Sequence, residues 1–152
     1  MADIEYQFGD SFVGADVCLF VAGGFVVVRS YFIFSFDPMM KIVLIGAGNV
    51  ATHLGIALQK AGCLILQVYS RTEESASALA DRLLVDYTIV PDEIRRDADL
   101  YIVALKDAVL RQLAPVLVKG REQALFVHTA GSMPMDLWKG VGKTLWGYFI
   151  LC

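Results

Sequence analysis

The feature that most constrains the fold of this chain is the stretch from Lys41 to Gly62, which reads KIVLIGAGNVATHLGIALQKAG. It opens with an apolar run, Ile42–Ile45, of the kind found in a parallel sheet that is covered on both faces. Apolar residues then recur at helical spacing, at Val50, Leu54, Ala57, Leu58 and Ala61. The pattern predicts a buried strand, a turn, and a helix whose apolar face lies on the sheet.

The turn between this strand and this helix carries small residues at Gly46, Gly48 and Ala51, the three positions of a G-x-G-x-x-G/A motif. In that motif the first glycine permits a tight turn, the second lets a pyrophosphate approach the backbone, and the third small residue allows close helix packing. Backbone N–H groups and the positive end of the helix dipole then face the phosphates. A second apolar strand, Leu64–Tyr69, closes a βαβ unit, so the context favours dinucleotide binding over an unliganded structural turn. The predicted cofactor contacts are Gly46, Gly48, Asn49 and Val50.

The end of the second strand bears on the choice of cofactor. An NAD-binding domain usually has an acidic residue about 20 residues beyond the glycines, whereas the 2′-phosphate of NADP requires cations and hydroxyls. This chain has Ser70, Arg71 and Thr72 at that place and no acidic residue on the strand. Arg71 can bind a phosphate through two N–H groups, and both hydroxyls can donate to it. We therefore predict NADP; the alternative is that Thr72 only caps a helix with Glu73 and Glu74 in its first turn.

Strands and helices continue to alternate along the rest of the chain. The next helix is predicted to bury Ala76, Leu79, Ala80 and Leu83. Further predicted elements are a strand at 85–90, a helical turn at 92–96, a strand at 99–105, a helix from its N-cap Asp107 through Leu113, and a strand at 123–128. Pro115 is expected to limit how far that helix continues. The alternation predicts an α/β fold, a Rossmann-type doubly wound, mostly parallel sheet with helices on both faces, over residues 39–139.

Ligands of open α/β sheets bind at the carboxyl ends of the strands. This rule places four segments of the chain on one edge, namely 46–50, 70–72, 105–106 and 128–132. Leu105 and Lys106 are therefore predicted to contact the cofactor, although a lysine after a strand is often only solvated. His53 is expected on the surface of the first helix. Because the two histidines are far apart and no carboxylates cluster, no metal site is predicted.

Composition narrows the class of protein. The 152 residues suit one domain that can bury a core without disulfides or metal. Residues 1–40 hold five acidic side chains against one arginine, a net −4, whereas residues 41–152 hold 12 basic and 11 acidic ones, a net +1. Neither part resembles a nucleic-acid-binding surface. Cys18, Cys63 and Cys152 include no C-x-x-C pair, which favours reduced thiols in the cytoplasm.

Residues 1–38 precede the predicted domain and contain a largely apolar stretch, Val17–Phe36. The favoured interpretation is a leader without a function of its own, because Met39 and Met40 stand where a chain of this fold would begin. A second interpretation is a hairpin added to the domain, with arms Val17–Val21 and Phe25–Ile33. A membrane anchor is the third, since the length allows a span.

Four segments, in chain order, resemble one family: MKIVLIGAGNVA, VYSRT, ADLYIVALKD and HTAGSMPM. The family is a Rossmann-like group of proposed NADP oxidoreductases related to deazaflavin (coenzyme F-420)-dependent NADP reductases and to pyrroline-5-carboxylate reductases. The similarity covers about residues 40–138. Members of this family continue into a helical domain that completes the substrate cleft and commonly forms a dimer. Residues 140–152 are apolar and depart from the family pattern, so we expect a chain truncated before that domain.

The resemblance implies the NADP-binding domain of a cytoplasmic oxidoreductase that transfers hydride between NADP(H) and a small carbonyl or imine substrate, with a homodimer as the expected assembly. Such a substrate needs a proton donor beside the nicotinamide, and His128 and Ser132 are the catalytic candidates. A hydrogen-bonded structural role is the alternative for His128. The rival function is a non-catalytic nucleotide-binding or scaffold domain, which would keep the glycines but lack a closed cleft.

Overall fold

The structure, a computed structural model, describes residues 40–122 and 124–129, together with the backbone of strands at 3–8, 11–16, 25–28, 32–35 and 146–148. The strands are β1 (Asp3–Phe8), β2 (Ser11–Asp16), β3 (Phe25–Val28), β4 (Phe32–Ser35), β5 (Lys41–Ile45), β6 (Leu64–Tyr69), β7 (Asp86–Thr88), β8 (Leu100–Val103), β9 (Leu125–His128) and β10 (Trp146–Tyr148). The helices are α1 (Asn49–Lys60), α2 (Glu73–Leu83) and α3 (Asp107–Val118), and a short 3-10 helix spans Pro91–Glu93.

Five parallel strands form the centre of the sheet in the order β7-β6-β5-β8-β9. The chain begins this part in the middle, at β5, adds β6 and β7 outward, and crosses back to add β8 and β9 on the other side. This is the Rossmann topology, so the predicted fold class is confirmed. β10 lies parallel beside β9, and β1 and β2 extend the sheet with antiparallel pairing. The strand order reverses between β5 and β8, which is where such sheets bind ligands.

The core lies on both faces of the sheet because β5 is apolar at every buried position. Ile42 and Leu44 belong to a cluster with the buried residues of α1 and α2. Val43 and Ile45 belong to a second cluster, which contains the buried residues of α3. Successive strand residues point to opposite faces, so an unbroken apolar run is what a sheet between two helical layers requires.

The buried face of α1 differs from the predicted one. The helix buries Ala51, Leu54, Gly55 and Leu58. Of the residues expected there, Val50 is 40% exposed, and Ala57 and Ala61 are only half-buried. The reason is close packing at Gly55, where a Cβ atom would lie 2.8 Å from Leu44 Cδ1. A glycine is therefore part of the contact face, which turns the helix away from the side that apolar spacing alone suggests.

The later helices follow the sequence pattern more closely. α2 buries all four predicted residues, Ala76, Leu79, Ala80 and Leu83. α3 has Lys106 rather than Asp107 at its N-cap, and it continues through Pro115 to Val118 instead of ending at Leu113. Proline removes one N–H from the helix, but Pro115 is exposed, so the carbonyl that loses its partner can be hydrated. Buried Val118 keeps the last turn on the sheet.

Polar side chains hold the connection from β7 to β8, where the predicted helical turn at 92–96 is a 3-10 helix shifted to Pro91–Glu93. The Gln67 side chain accepts from the backbone N–H of Arg95 at 2.9 Å, and the Tyr101 hydroxyl donates to the Arg95 carbonyl at 2.6 Å. The guanidinium of Arg121, which is 4% exposed, donates to the carbonyls of Ile94, Arg95, Leu117 and Lys119. These bonds satisfy backbone groups that no regular helix pairs here.

The predicted hairpin arm at 17–21 lies outside the described residues. β3 lies within the other predicted arm, Phe25–Ile33, whereas β4 begins in that arm and ends beyond it. The two strands pair with each other in a separate antiparallel sheet, with Val27 opposite Ile33. The interpretation of residues 1–38 as a leader stays a prediction. None of the helices in the described parts of the chain is long and apolar enough to cross a membrane.

Candidate functional site

The last residues of four neighbouring strands lie in one row. In the strand registers, Tyr69, Ile45, Val103 and His128 stand opposite one another. The N–H of Gly46 donates to the Tyr69 carbonyl at 2.7 Å, and the N–H of Ala104 donates to the Ile45 carbonyl at 2.7 Å, each one step beyond the ladder. The turns after these strands therefore leave the sheet at one level. We call residues 46–50, 70–72, 104–106 and 128–129 the rim.

Gly46 makes the tight turn at the centre of the rim. Its φ angle is +112°, a conformation that residues with a Cβ atom rarely adopt. A Cβ atom there would collide with the carbonyl oxygen of Ala104 and would lie 3.4 Å from Leu105 Cδ2. Gly46 is thus required both by its backbone angle and by the turn after β8. Sequence reasoning missed Ala104, for which the only signal was a small residue directly after an apolar strand.

Gly48 has the opposite surroundings. It is exposed and extended at the N-cap of α1, and a Cβ atom built on it would meet nothing within 4 Å. Its carbonyl accepts both the N–H and the hydroxyl of Thr52, each at 2.9 Å, so the first helical turn is firmly made. No side chain caps this helix and its first turn has no acidic residue. Asn49 and Val50 are exposed there, so the helix N-terminus offers N–H groups to an anion in open space.

Ser70, Arg71 and Thr72 follow β6 at the same level. Ser70 is half-buried and donates its N–H to the Thr88 carbonyl at 3.2 Å. Thr72 stands at the N-cap of α2, as the alternative interpretation expected, but its hydroxyl donates to Ser75 Oγ at 2.9 Å instead of capping the helix. Arg71 is exposed, and within the described residues its guanidinium makes no hydrogen bond or ion pair.

Arg71 is therefore a cation available to a ligand at this corner of the rim. Its charge is felt by neighbouring Tyr69, whose pKa is raised by burial while the Arg71 charge acts in the opposite direction. An exposed guanidinium beside two hydroxyl side chains is the set of donors that binds a phosphate monoester. These residues fit the group that distinguishes NADP from NAD.

Leu105 and Lys106 stand on the other side of the Gly46 turn. Leu105 is half-buried and packs toward Gly46, so it forms part of the apolar floor beside the glycine-rich turn. Lys106 is exposed and begins α3, where its carbonyl accepts the N–H groups of Val109 and Leu110 at 2.9 Å. The structure thus brings these two residues to the rim with the glycines, as the strand-end rule anticipates.

The structure describes only one of the two catalytic candidates. His128 ends β9 and is fully buried, next to Val103 in the strand register. Ser132 lies outside the described residues. His53 is exposed on α1, as predicted. Within the described residues no group of His, Cys, Asp and Glu could hold a metal ion.

Comparison with known proteins agrees with this geometry. A family model described as NADP oxidoreductase, coenzyme F420-dependent, matches residues 41–130, which include the whole described rim. The structure of a proposed NADP oxidoreductase from Bacteroides fragilis is 49% identical, with a TM-score of 0.70, over 74% of this chain and 44% of that one. No curated protein matches the chain.

More distant structures share the fold. Prephenate dehydrogenase from A. aeolicus, solved with hydroxyphenyl propionate and NAD+, is 17% identical with a TM-score of 0.64 over 74% of this chain and 41% of that one. The WlbA dehydrogenase from Chromobacterium violaceum, solved with NADH and UDP-GlcNAcA, is 16% identical with a TM-score of 0.53, over 60% and 27% of the two chains. The chain spans less than half of the length of each of these three proteins. The family match and the Bacteroides structure confirm both the resemblance and the NADP prediction. The chain therefore belongs to the coenzyme F420-dependent NADP oxidoreductase family.

Proposed function

We propose that this chain is the NADP-binding domain of an oxidoreductase that transfers hydride between NADP(H) and a small carbonyl or imine substrate. The observation that carries the proposal is the contrast between Gly46 and Gly48 on the rim. Gly46 is enclosed by Ala104, whereas the space beside Gly48 is open at an uncapped helix N-terminus. A turn with a purely structural purpose needs the first glycine but not the second.

Different residues of the rim bind different parts of the cofactor. The N–H groups of Asn49 and Val50 and the open face of Gly48 hold the pyrophosphate, because they combine free donors with the positive end of the helix dipole. Arg71, with Ser70 and Thr72, holds the 2′-phosphate. Leu105 and Lys106 flank the cofactor on the β8 side. When bound, the nicotinamide supplies or accepts the hydride.

The proposed proton donors to the substrate are His128 and Ser132. A carbonyl or imine that gains a hydride also gains a proton, so a donor must lie at the strand end nearest the reacting carbon. His128 ends the strand next but one to β5, and its position in the row of strand ends supports this role in the proposal. Since His128 is fully buried, the proposal requires that its side chain become accessible to the substrate.

A second wall must also cover the rim, because hydride transfer requires that the acceptor be oriented and water excluded. The Bacteroides protein is more than twice as long as the part of it that matches this chain. In our proposal a helical domain of the family type or a partner subunit of a homodimer supplies that wall, in the cytoplasm where NADPH is available.

A non-catalytic nucleotide-binding domain is the second candidate function, and the full burial of His128 favours it. The two functions are separated by two measurements on the purified chain. Titration calorimetry measures the affinity for NADPH, and the absorbance of the reduced nicotinamide then reports its oxidation with a panel of small aldehydes, ketones, cyclic imines and coenzyme F420. Binding with turnover supports the enzyme, binding without turnover supports the second candidate, and a folded chain without binding overturns both.

The catalytic assignment has its own test. His128→Gln should lower turnover at least tenfold while NADPH affinity stays unchanged, because general acid catalysis contributes about 100- to 10,000-fold. His53→Gln, at the exposed histidine of α1, is the matched control and should leave both quantities unchanged. Full turnover in His128→Gln would remove this residue from the mechanism.

A further inference from the structure

Tyr87 and Glu73 are joined by a hydrogen bond between β7 and α2. The Tyr87 hydroxyl donates to Glu73 Oε1 at 3.2 Å. Tyr87 is 40% exposed and stands opposite Val68 in the register of β6 and β7. The bond also raises the pKa of Tyr87, because an ionised phenol could not donate to the carboxylate. The pair lies one strand away from β5, on the outer side of β6.

Glu73 lies beside the proposed phosphate site, where its negative charge can oppose phosphate binding. It is the first residue of α2, directly after Thr72 and two residues after Arg71. A carboxylate in the first helical turn stabilises the helix through its dipole, but a negative charge next to Arg71 opposes a second negative group there. Glu73 is exposed, so without a restraint its side chain could turn to Arg71 or toward the ligand.

The sheet order shows where the hydrogen bond directs this charge. β6 lies between β5 and β7, so the turn of Gly46 and Gly48 is on one side of the Ser70–Thr72 segment and Tyr87 is on the other. A Glu73 carboxylate bonded to Tyr87 is drawn toward the β7 edge and away from the glycine-rich turn. Glu74, the next residue, is also exposed but has no described bond to its carboxylate.

We infer that Tyr87 is a positioning residue for the selection of NADP, because it holds the Glu73 carboxylate away from the 2′-phosphate and leaves Arg71 to bind it. The inference rests on the proposed NADP site at Ser70, Arg71 and Thr72. Tyr87 itself touches neither the phosphate nor the reacting atoms. Its effect is electrostatic and passes through Glu73 alone.

The test measures the affinities of the intact chain for NADPH and NADH in Tyr87→Phe. We expect NADPH affinity to fall about three- to tenfold, because a released carboxylate at several ångströms from a phosphate interacts at about 1 kcal/mol in water. NADH affinity should not fall, since NADH lacks the 2′-phosphate. The double variant Tyr87→Phe/Glu73→Gln should recover the NADPH affinity, because the charge that was released is gone.

Glu74→Gln provides the matched control. It removes a carboxylate from the same helical turn but from a residue that Tyr87 does not bond, so its effect should add to that of Tyr87→Phe without coupling. The melting temperature of each variant separates folding from binding. If Tyr87→Phe fails to fold, the comparison of Glu73→Gln with Glu74→Gln decides. Because Tyr87 holds the Glu73 carboxylate away from the phosphate, Glu73→Gln should raise NADPH affinity less than Glu74→Gln does.

The outcomes distinguish this inference from the proposed function. If the unmodified chain binds NADPH no better than NADH, the proposed phosphate site is wrong and the inference fails with it. If the chain prefers NADPH but Tyr87→Phe keeps that preference, or loses it without recovery by Glu73→Gln, the phosphate site stands and the role of Tyr87 is overturned.

Discussion

Gly46 and Ala104 approach each other so closely that no side chain fits between them, although 57 residues separate the two turns that they occupy. The contact joins the end of β5 to the end of β8 at the point where the strand order reverses. It is reinforced by the bond from the Ala104 N–H to the Ile45 carbonyl at 2.7 Å. The cofactor site is therefore built on two strand ends that support each other.

Gly46→Ala should destabilise the whole domain. The variant would place a Cβ atom against the Ala104 carbonyl and hold a non-glycine residue at a φ of +112°. We expect a loss of about 3 kcal/mol or more in the free energy of unfolding, measured by urea denaturation. A stable Gly46→Ala variant would show that the two turns do not pack as described.

Gly48→Val should separate binding from folding. Because nothing lies within 4 Å of the Cβ position, the substitution should cost little packing strain, and the unfolding midpoint should change little. The same side chain fills the space of the pyrophosphate, so NADPH binding should be abolished in calorimetric titration. The prediction fails if the folded variant still binds NADPH.

Arg71→Ala should remove most of the preference for NADPH over NADH. A bidentate, charge-assisted bond to a phosphate is lost, which corresponds to roughly tenfold or more in affinity. NADH affinity should hardly change. Arg82→Ala is the control, because Arg82 is also exposed on α2 but lies in its last turn. Equal losses in both variants would indicate a general charge effect instead of a phosphate contact.

Arg121→Ala should destabilise the fold without touching the rim. The guanidinium is 4% exposed and donates to four backbone carbonyls, among them that of Ile94 at 2.5 Å. Burial lowers the pKa of Arg121. The hydrogen bonds to these carbonyls replace the hydration that the guanidinium loses on burial. Leaving them unsatisfied should cost about 2–4 kcal/mol by chemical denaturation. Arg111→Ala, at an exposed position of α3, should change the unfolding midpoint little.

Asp97 makes stability fall slightly in acid. Its hydrogen bond with Arg95, 2.6 Å long, lowers its pKa from 3.8 to about 2. Because the pKa is lower in the folded chain, the pair stabilises the fold above pH 3.8 and loses that contribution as pH falls toward 2. Both groups are exposed, so the change should be small. NMR titration of Asp97 measures the pKa directly, and an ordinary value would contradict the pairing.

Local patterns in the sequence were enough to identify the central elements and their order. The apolar run of β5, the glycine spacing after it and the buried face of α2 each depend on residues that are neighbours in the chain. Propensity and periodicity act at that range, so they also indicated the fold class. The side chains of Ser70, Arg71 and Thr72 after the second strand indicated the NADP cofactor. The strand-end rule then placed Ser70–Thr72 and Lys106 on one edge from the sequence alone.

Contacts between distant segments were beyond that reasoning. The buried face of α1 depends on Gly55 meeting Leu44, and the length of α3 depends on which side of the helix Pro115 occupies. The direction of the Glu73 carboxylate depends on a hydrogen bond from Tyr87, a residue of another strand. Such outcomes follow from packing and hydrogen bonding between elements, which arise only once the sheet has brought those elements together, and no spacing within one segment encodes them.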